Sequence, residues 1–273
     1  MMMRIRAGFK IAFETDIPTP MLAMLSIHPS RHKDLLTPQR IDTSPEIATY
    51  NYQDDFCNVC TRLTVPAGGV TLCTDFEIED DGMADMRAPD VPPTPVEVLP
   101  DNILIYLLGS RYCETDRLMD VAWSQFAAFG SARERVEAIV RYVHEHIAFG
   151  YDYARADRTA WNTYQERVGV CRDFAHLAVT LCRCMNIPAR YCTGYLGDIG
   201  VPPVDAPMDF AAWFDVYIDG DWYTYDARHN RPRIGRILMA RGRDATDTAL
   251  TTAFGPAKLV SFQVHTDEVK LVE

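Results

Sequence analysis

One cysteine stands where a turn is predicted to become a helix, and that position suits nucleophilic chemistry. Cys171 follows Gly169, which would let the turn run close to a ligand. After Cys171, apolar residues recur at the spacing of a buried helix face: Phe174, Leu177, Ala178, Leu181, Cys182 and Met185. Unpaired N–H groups and the helix dipole favour a thiolate in the first turn, so we expect a lowered pKa for Cys171. The alternative is a small buried core cysteine.

A predicted β-hairpin supplies the residues that would complete such a site. Residues 210–218 and 221–226 have the composition of strands, and Asp219-Gly220 between them is typical of a two-residue turn. This turn pairs Ile218 with Asp221 and extends the register to position 226. Positions 211 and 226 are then diagonal neighbours on one face, roughly 7–8 Å apart. A histidine at 211 would reach Asp226, but this chain has Ala211.

Together the two stretches are similar to the transglutaminase-like superfamily of cysteine acyl transferases and proteases, in particular its bacterial branch with an N-terminal β domain. The resemblance covers most of residues 100–273. It implies an α+β fold with a papain-like core preceded by a small antiparallel β domain. The matching residues are Gly169-Val170-Cys171-Arg172-Asp173-Phe174-Ala175-His176, Ile187-Pro188-Ala189-Arg190-Tyr191-Cys192-Thr193-Gly194-Tyr195, and Asp209 to Asn230 around Ala212-Trp213-Phe214 and Tyr225-Asp226-Ala227.

The resemblance also implies roles for single residues. The nucleophile is Cys171, the orienting carboxylate is Asp226, and Trp213 and Asp209 are expected to line the cleft. The family's histidine falls on Ala211, which cannot accept the thiol proton or return it to a leaving group.

Three explanations of the missing base stay open. The first is another histidine, and His229 is the one close in sequence to Asp226; it reaches that carboxylate only if the chain turns after position 226. His176 lies about 140° around the helix from Cys171 and is a poor candidate. The second is slow or narrow chemistry by a thiolate that the helix terminus alone stabilises. The third is a domain that binds without catalysis.

The predicted function is therefore acyl transfer from a peptide or amide substrate to Cys171, with water or an amine as the final acceptor. The alternative is a catalytically impaired domain that binds peptides or proteins. An arginine-rich segment after Asp226 could bind a carboxylate-bearing substrate, or its members could pair with acids of the same chain. These arginines are Arg228, Arg231, Arg233, Arg236, Arg241 and Arg243.

Composition narrows the class of protein further. The chain has 273 residues, 48% of them hydrophobic, which is enough to bury a sizeable core. Its formal net charge of −11 argues against nucleic acid and against an anionic membrane as the main partner. No apolar run approaches the roughly 20 residues of a membrane span, and residues 1–16 lack a signal-peptide core. We expect a cytoplasmic protein.

The eight cysteines do not predict a disulfide scaffold, because they are scattered through a long chain. Cys57 and Cys60 have the spacing of a zinc motif, but on a strand they would point to opposite faces, and no second pair lies nearby. We therefore predict no metal and no cofactor. The oligomeric state does not follow from the sequence.

Two domains are predicted, residues 1–88 and 96–273, joined by a proline-rich linker. Alternating hydrophobic residues indicate a strand over 5–13, and Gly68-Gly69 favours a hairpin between the strand-like runs 56–65 and 70–78. In the second domain, Ser131 and Glu134 form a predicted capping box that begins a helix. Residues 197–208 are a predicted loop at the rim of the site.

Overall fold

Antiparallel strands occupy the first 80 residues, as the alternating sequence predicts, and helices follow. The computed structural model describes residues 2–203 and 208–269, so part of the predicted rim loop, residues 204–207, lies outside the described residues. The predicted α+β class is confirmed. The strands are β1 (Met3–Glu14), β2 (Thr19–Ala23), β3 (Asp42–Ser44), β4 (Tyr50–Gln53), β5 (Val59–Val65), β6 (Val70–Asp80), β7 (Ala148–Phe149), β8 (Val168–Gly169), β9 (Ala189–Leu196), β10 (Ala211–Ile218), β11 (Asp221–Tyr225), β12 (Arg236–Gly242), β13 (Thr251–Ala253) and β14 (Lys258–Glu268). The α-helices are α1 (Asp101–Leu104), α2 (Thr115–Phe126), α3 (Ala132–His146), α4 (Ala160–Glu166) and α5 (Cys171–Cys184).

Two sheets form the N-terminal part of the described structure. The first has the order β14-β1-β6-β3 and the second β13-β2-β5-β4. They share one hydrophobic core, to which both sheets contribute; its members include Ile11, Met21, Leu63 and Phe76. The predicted hairpin at Gly68-Gly69 is wrong, because β5 and β6 belong to different sheets. The two glycines lie in a link between the sheets, and a Cβ on Gly69 would lie 2.2 Å from the carbonyl oxygen of Phe13.

The predicted second domain has a central sheet of order β11-β10-β9-β12, and α5 packs against it. The register of β10 and β11 is confirmed, because Ile218 pairs with Asp221 and Phe214 with Tyr225. The predicted apolar face of α5 is buried in a core that it shares with α2, α3 and α4. The capping box at the start of α3 is also present, with Ser131 and Glu134 exchanging hydrogen bonds.

The strands β13 and β14 were expected with the second domain, and the structure places them in the N-terminal sheets. β14 pairs with β1 along its length, from Ile5↔Glu268 to Glu14↔Lys258, and β13 pairs with β2. The predicted linker also packs closely: Ala88 is buried, and the carbonyl of Val91 accepts a 2.8 Å hydrogen bond from Ala132. The division at residues 88 and 96 stays a prediction about autonomous folding, and two strands that follow the linker complete the N-terminal sheets.

Candidate active site

Cys171 is the first residue of α5, and its neighbours fix the entry to that helix. The carboxylate of Asp173 accepts a hydrogen bond from the Val170 N–H at 3.0 Å and lies 3.3 Å from the guanidinium of Arg158. A Cβ on Gly169 would lie 2.7 Å from the Cβ of Asp173. Gly169 is therefore required by the close approach of Asp173, whereas the sequence suggested the approach of a ligand.

The thiol of Cys171 is partly buried against the central sheet. It packs beside Tyr191 of β9 and Ala212 of β10, and the Ala212 N–H is directed at its sulfur. Burial raises the pKa of this thiol to about 11, although the guanidinium of Arg228 opposes the rise. The direction of this shift is opposite to the lowering that the helix terminus led us to expect.

Asp226 and His229 form a hydrogen-bonded pair just after β11. Nδ1 of His229 lies 2.8 Å from Oδ2 of Asp226, and the His229 backbone N–H donates to Oδ1 at 3.0 Å. The chain makes the turn that this contact requires, with the Asn230 N–H bonded to the Asp226 carbonyl at 2.8 Å. Because an ionised carboxylate only accepts, Nδ1 carries the proton and Nε2 is the basic nitrogen of the neutral ring.

A buried arginine holds the other side of the same carboxylate. Nη2 of Arg236 lies 3.0 Å from Oδ2 of Asp226, its Nε lies 3.0 Å from Oδ1 of Asp85, and its guanidinium lies 4.9 Å from the ring centre of Trp213. Burial by itself would raise the pKa of Asp226, but the hydrogen bond from His229 and the charge of Arg236 hold it well below its usual range. Asp226 is thus an anion, and Trp213, only 3% exposed, packs under Arg236.

Position 211, where the family has its histidine, lies at the same cavity as His229 of this chain. Ala211 and His229 both line a space of about 110 Å³, together with Asp209. Burial raises the pKa of the Asp209 carboxyl group, and the Phe210 N–H and the charge of Arg228 oppose that rise. The other lining residues are Tyr151, Leu196, Asp198, Met208, Phe210, Arg228 and Arg233.

A short parallel pair of strands connects this cavity to the nucleophile. Phe149 of β7 pairs with Gly169 of β8, two residues before Cys171. The guanidinium of Arg228 lies over the Phe149 ring, 3.8 Å from its centre. Arg228 therefore reaches from the turn that carries His229 to β7, which pairs with the strand that precedes Cys171.

His144 of α3 holds that turn, a role that sequence reasoning missed. Its Nδ1 lies 2.9 Å from the carbonyl oxygen of Arg228 and 3.2 Å from that of Ala227. Both atoms are acceptors, so Nδ1 donates. The sequence interpretation was a surface or core histidine, because no local signal connects residues that are 84 positions apart.

The remaining candidates have structural partners. His176 is buried and stacked between Tyr112 and Tyr191, with ring centres 5.0 and 4.9 Å away, and burial lowers its pKa to about 3. Arg243 pairs with Asp247 at 2.8 Å, so this member of the arginine-rich segment binds an acid of the same chain.

The described ranges, 2–203 and 208–269, also bear on metal binding and on membrane association. There, no group of three or more His, Cys, Asp or Glu side chains could hold a metal ion, and no helix is long and apolar enough to cross a membrane. All eight cysteines are free thiols.

Known proteins share this arrangement of a cysteine-bearing helix and a central sheet. Residues 124–227 match the model of the transglutaminase-like superfamily, a range that includes Cys171 and Asp226 and ends before His229. This range is therefore similar to a transglutaminase-like core, and the resemblance found in the sequence is confirmed.

Two individual proteins illustrate the relationship over longer ranges. The crystal structure of a putative cysteine protease from Cytophaga hutchinsonii is 26% identical and has a TM-score of 0.86, covering 100% of this chain and 93% of that one. An uncharacterized protein of Mycobacterium leprae is 24% identical over 221 residues, which are 77% of each chain. The similarity to the first extends through the N-terminal sheets as well as the core.

Proposed function

We propose that this protein is a cysteine-dependent acyl transferase or amide hydrolase in which Cys171 is the nucleophile and His229 the base. The observation that carries the proposal is the 2.8 Å contact between His229 and Asp226, with the imidazole lining the cavity beside Ala211. A carboxylate that fixes the tautomer of an imidazole is the arrangement that cysteine and serine acyl transfer uses.

In the proposed reaction, Nε2 of His229 takes the proton of the Cys171 thiol, and the sulfur attacks the carbonyl carbon of the amide. The backbone N–H of Cys171 donates a hydrogen bond to the oxyanion that forms. The imidazolium then gives its proton to the amine as the C–N bond breaks, which leaves a thioester on Cys171. Water or an amine then attacks the thioester carbonyl, and His229 takes the proton of the attacking group. The C–S bond breaks, and the imidazolium returns its proton to the Cys171 sulfur.

Variants of the site test this proposal with generic amide and ester substrates. Cys171→Ala is expected to abolish turnover, and His229→Ala to lower it by about 10²–10⁴. Ala211→His placed in the His229→Ala background should restore part of the activity, because Asp226 would then orient the new ring. Cys57→Ala and His32→Ala, both at exposed positions, are the matched controls and should keep full activity.

Two outcomes would count against the assignment. Activity that survives Cys171→Ala would place the nucleophile elsewhere. If His229→Ala keeps full activity, His229 is not the base, whatever the activity of the double variant.

The second candidate function is a peptide- or protein-binding domain without catalysis. The raised pKa of the Cys171 thiol and the alanine at 211 favour it, because both reduce the supply of thiolate. This alternative would be supported if neither the native chain nor Ala211→His turned over any substrate and the native chain bound peptides saturably.

We further propose that the protein is cytoplasmic. Its partner in this proposal is a peptide or amide substrate and not a nucleic acid or a membrane. Support comes from the eight free thiols, which persist in reducing compartments, and from the net charge of −11. Cell fractionation of the native protein tests the location.

A further inference from the structure

Two guanidinium groups line the cavity: Arg233 is buried and donates to the Gly197 carbonyl at 2.8 Å, and Arg228 is the more open of the two. The ion pairs of the described ranges include Arg236 with Asp85 and Arg243 with Asp247, but none involves Arg228. Arg228 is only partly buried, and its charge faces the space that His229 also lines.

Neighbouring residues hold Arg228 in place without neutralising its charge. The Phe149 ring lies under the guanidinium at 3.8 Å, and His144 bonds the Arg228 carbonyl at 2.9 Å. A guanidinium stacked on a ring keeps its N–H groups at the edge of the plane, available to a planar acceptor. Asp209, which also lines the cavity, accepts the Phe210 N–H at 2.6 Å and forms no ion pair with Arg228.

The chemistry of the cavity selects the kind of anion. Two carboxylates, Asp198 and Asp209, line the same space of about 110 Å³. These two acids would repel a dianionic phosphate more strongly than a carboxylate, which carries one charge and needs one bidentate guanidinium partner.

We propose that Arg228 binds a carboxylate of the substrate, so that amides bearing an acidic group next to the scissile carbonyl are preferred. This inference rests on the proposed function, since it concerns the substrate of that same site. Arg228 acts as a specificity-determining residue, and its contact with the substrate positions the carbonyl carbon near the Cys171 sulfur.

Alkylation of Cys171 by two small reagents tests the proposal without turnover. Iodoacetate carries a carboxylate and iodoacetamide does not, while in both the sulfur displaces iodide from carbon. In the native protein, the ratio of the two rate constants at Cys171 should favour iodoacetate, and Arg228→Gln should lower that ratio by about tenfold. A change in thiolate content affects both reagents equally and cancels in the ratio.

The controls separate charge from structure. Arg231→Gln, at an exposed position outside this cavity, should leave the ratio unchanged, and Arg228→Lys should keep part of the preference. An unaltered ratio in Arg228→Gln would overturn the proposal.

Binding to Cys171→Ala separates this inference from the proposed function. By calorimetry, N-acetyl-alanyl-alanine should bind about tenfold more tightly than its C-terminal amide, and Arg228→Gln should remove the difference. If the native protein turns nothing over but this preference is present, the carboxylate site stands and the catalytic role fails. If the two peptides bind Cys171→Ala equally, the carboxylate site fails, whatever the activity.

Discussion

The sulfur of Cys171 experiences opposing influences. The first turn of α5 and the Ala212 N–H favour a thiolate, while burial raises the pKa to about 11. An imidazolium at position 211 would add a positive charge near the sulfur, but alanine adds none. Burial is therefore the largest influence on the thiol, and a cation at position 211 would oppose it.

We predict that the alkylation rate of Cys171 in the native protein rises about tenfold per pH unit and levels off only near pH 11. Because the pKa is raised, the reactive form appears as pH increases through that value. Ala211→His should move the plateau to lower pH. Mass-mapped iodoacetamide labelling checks this, with exposed Cys57 as an internal reference. A plateau below pH 8 in the native protein would contradict the prediction.

At the scale of elements, the site depends on a turn that α3 restrains. His144 donates to the carbonyl of Arg228, next to His229. Through its contacts with the Ala227 and Arg228 carbonyls, the helix restrains the turn that carries both the candidate base and the candidate carboxylate ligand.

His144→Ala should lower kcat by about tenfold with little loss of stability, because the side chain is exposed and the loss loosens only the turn. His144→Gln retains a donor and should recover most of the rate. Glu145→Ala, at the exposed neighbouring position, is the control. Steady-state kinetics and urea unfolding of the three variants distinguish a positioning role from a structural one, and a large loss of stability in His144→Ala would argue against positioning.

A buried histidine caps the 3₁₀ turn Pro29–Asp34. The Ser30 N–H donates to Nδ1 of His28 at 3.2 Å, and Nε2 donates to the Phe56 carbonyl at 3.4 Å, so the ring is neutral. Burial lowers its pKa to about 4. Protonation would remove the acceptor of the cap.

The pH dependence of stability follows from that shift. A folded-state pKa below the unfolded value means that the contribution is complete above about pH 6.5 and is lost as pH falls toward 4. His28→Asn keeps a cap acceptor without titrating. Between pH 7.5 and 5, the free energy of unfolding of the native protein should therefore decrease by about 2 kcal/mol more than that of His28→Asn. Urea unfolding at both pH values is the measurement, and equal losses would show that His28 does not report on this transition.

The sequence predicted correctly those elements that depend on residues close together in the chain. The Asp219-Gly220 turn fixed the register of β10 and β11, and the periodicity after Cys171 fixed the buried face of α5. The same kind of signal failed at Gly68-Gly69, because a two-glycine link can cross between sheets as easily as it can reverse within one. The position of His229 against Asp226 required a turn that the sequence allowed but did not specify.

At the scale of the molecule, the N-terminal and C-terminal regions are interleaved. β13 and β14 complete the two N-terminal sheets, and Asp85 bonds Arg236, which also holds Asp226. Composition could not predict this, because strand pairing between residues 3–14 and 258–268 leaves no signal in either stretch alone. Whether the proline-rich segment also separates two autonomous folding units stays a prediction.

A nick in that connection should leave the protein assembled. Trypsin is expected to cut after Arg87, whose side chain is 77% exposed. The two fragments should separate on a denaturing gel and elute together in native gel filtration, since β1 and β14 remain paired. Fragment 1–95 expressed alone should be unfolded by circular dichroism. Independent elution of two folded fragments would instead establish two autonomous domains.

The pairing of β1 with β14 has a consequence during translation. β1 finds its partner β6 early, but its other edge waits for residues 258–268. At roughly 5–20 residues per second, the roughly 180 residues between β6 and β14 take about 10–40 s to synthesise. Throughout that interval the nascent chain presents an unpaired strand edge with apolar neighbours, which is a template for aggregation. A chaperone at the ribosome would therefore have its main task at the first strand, although the last strand completes the sheet.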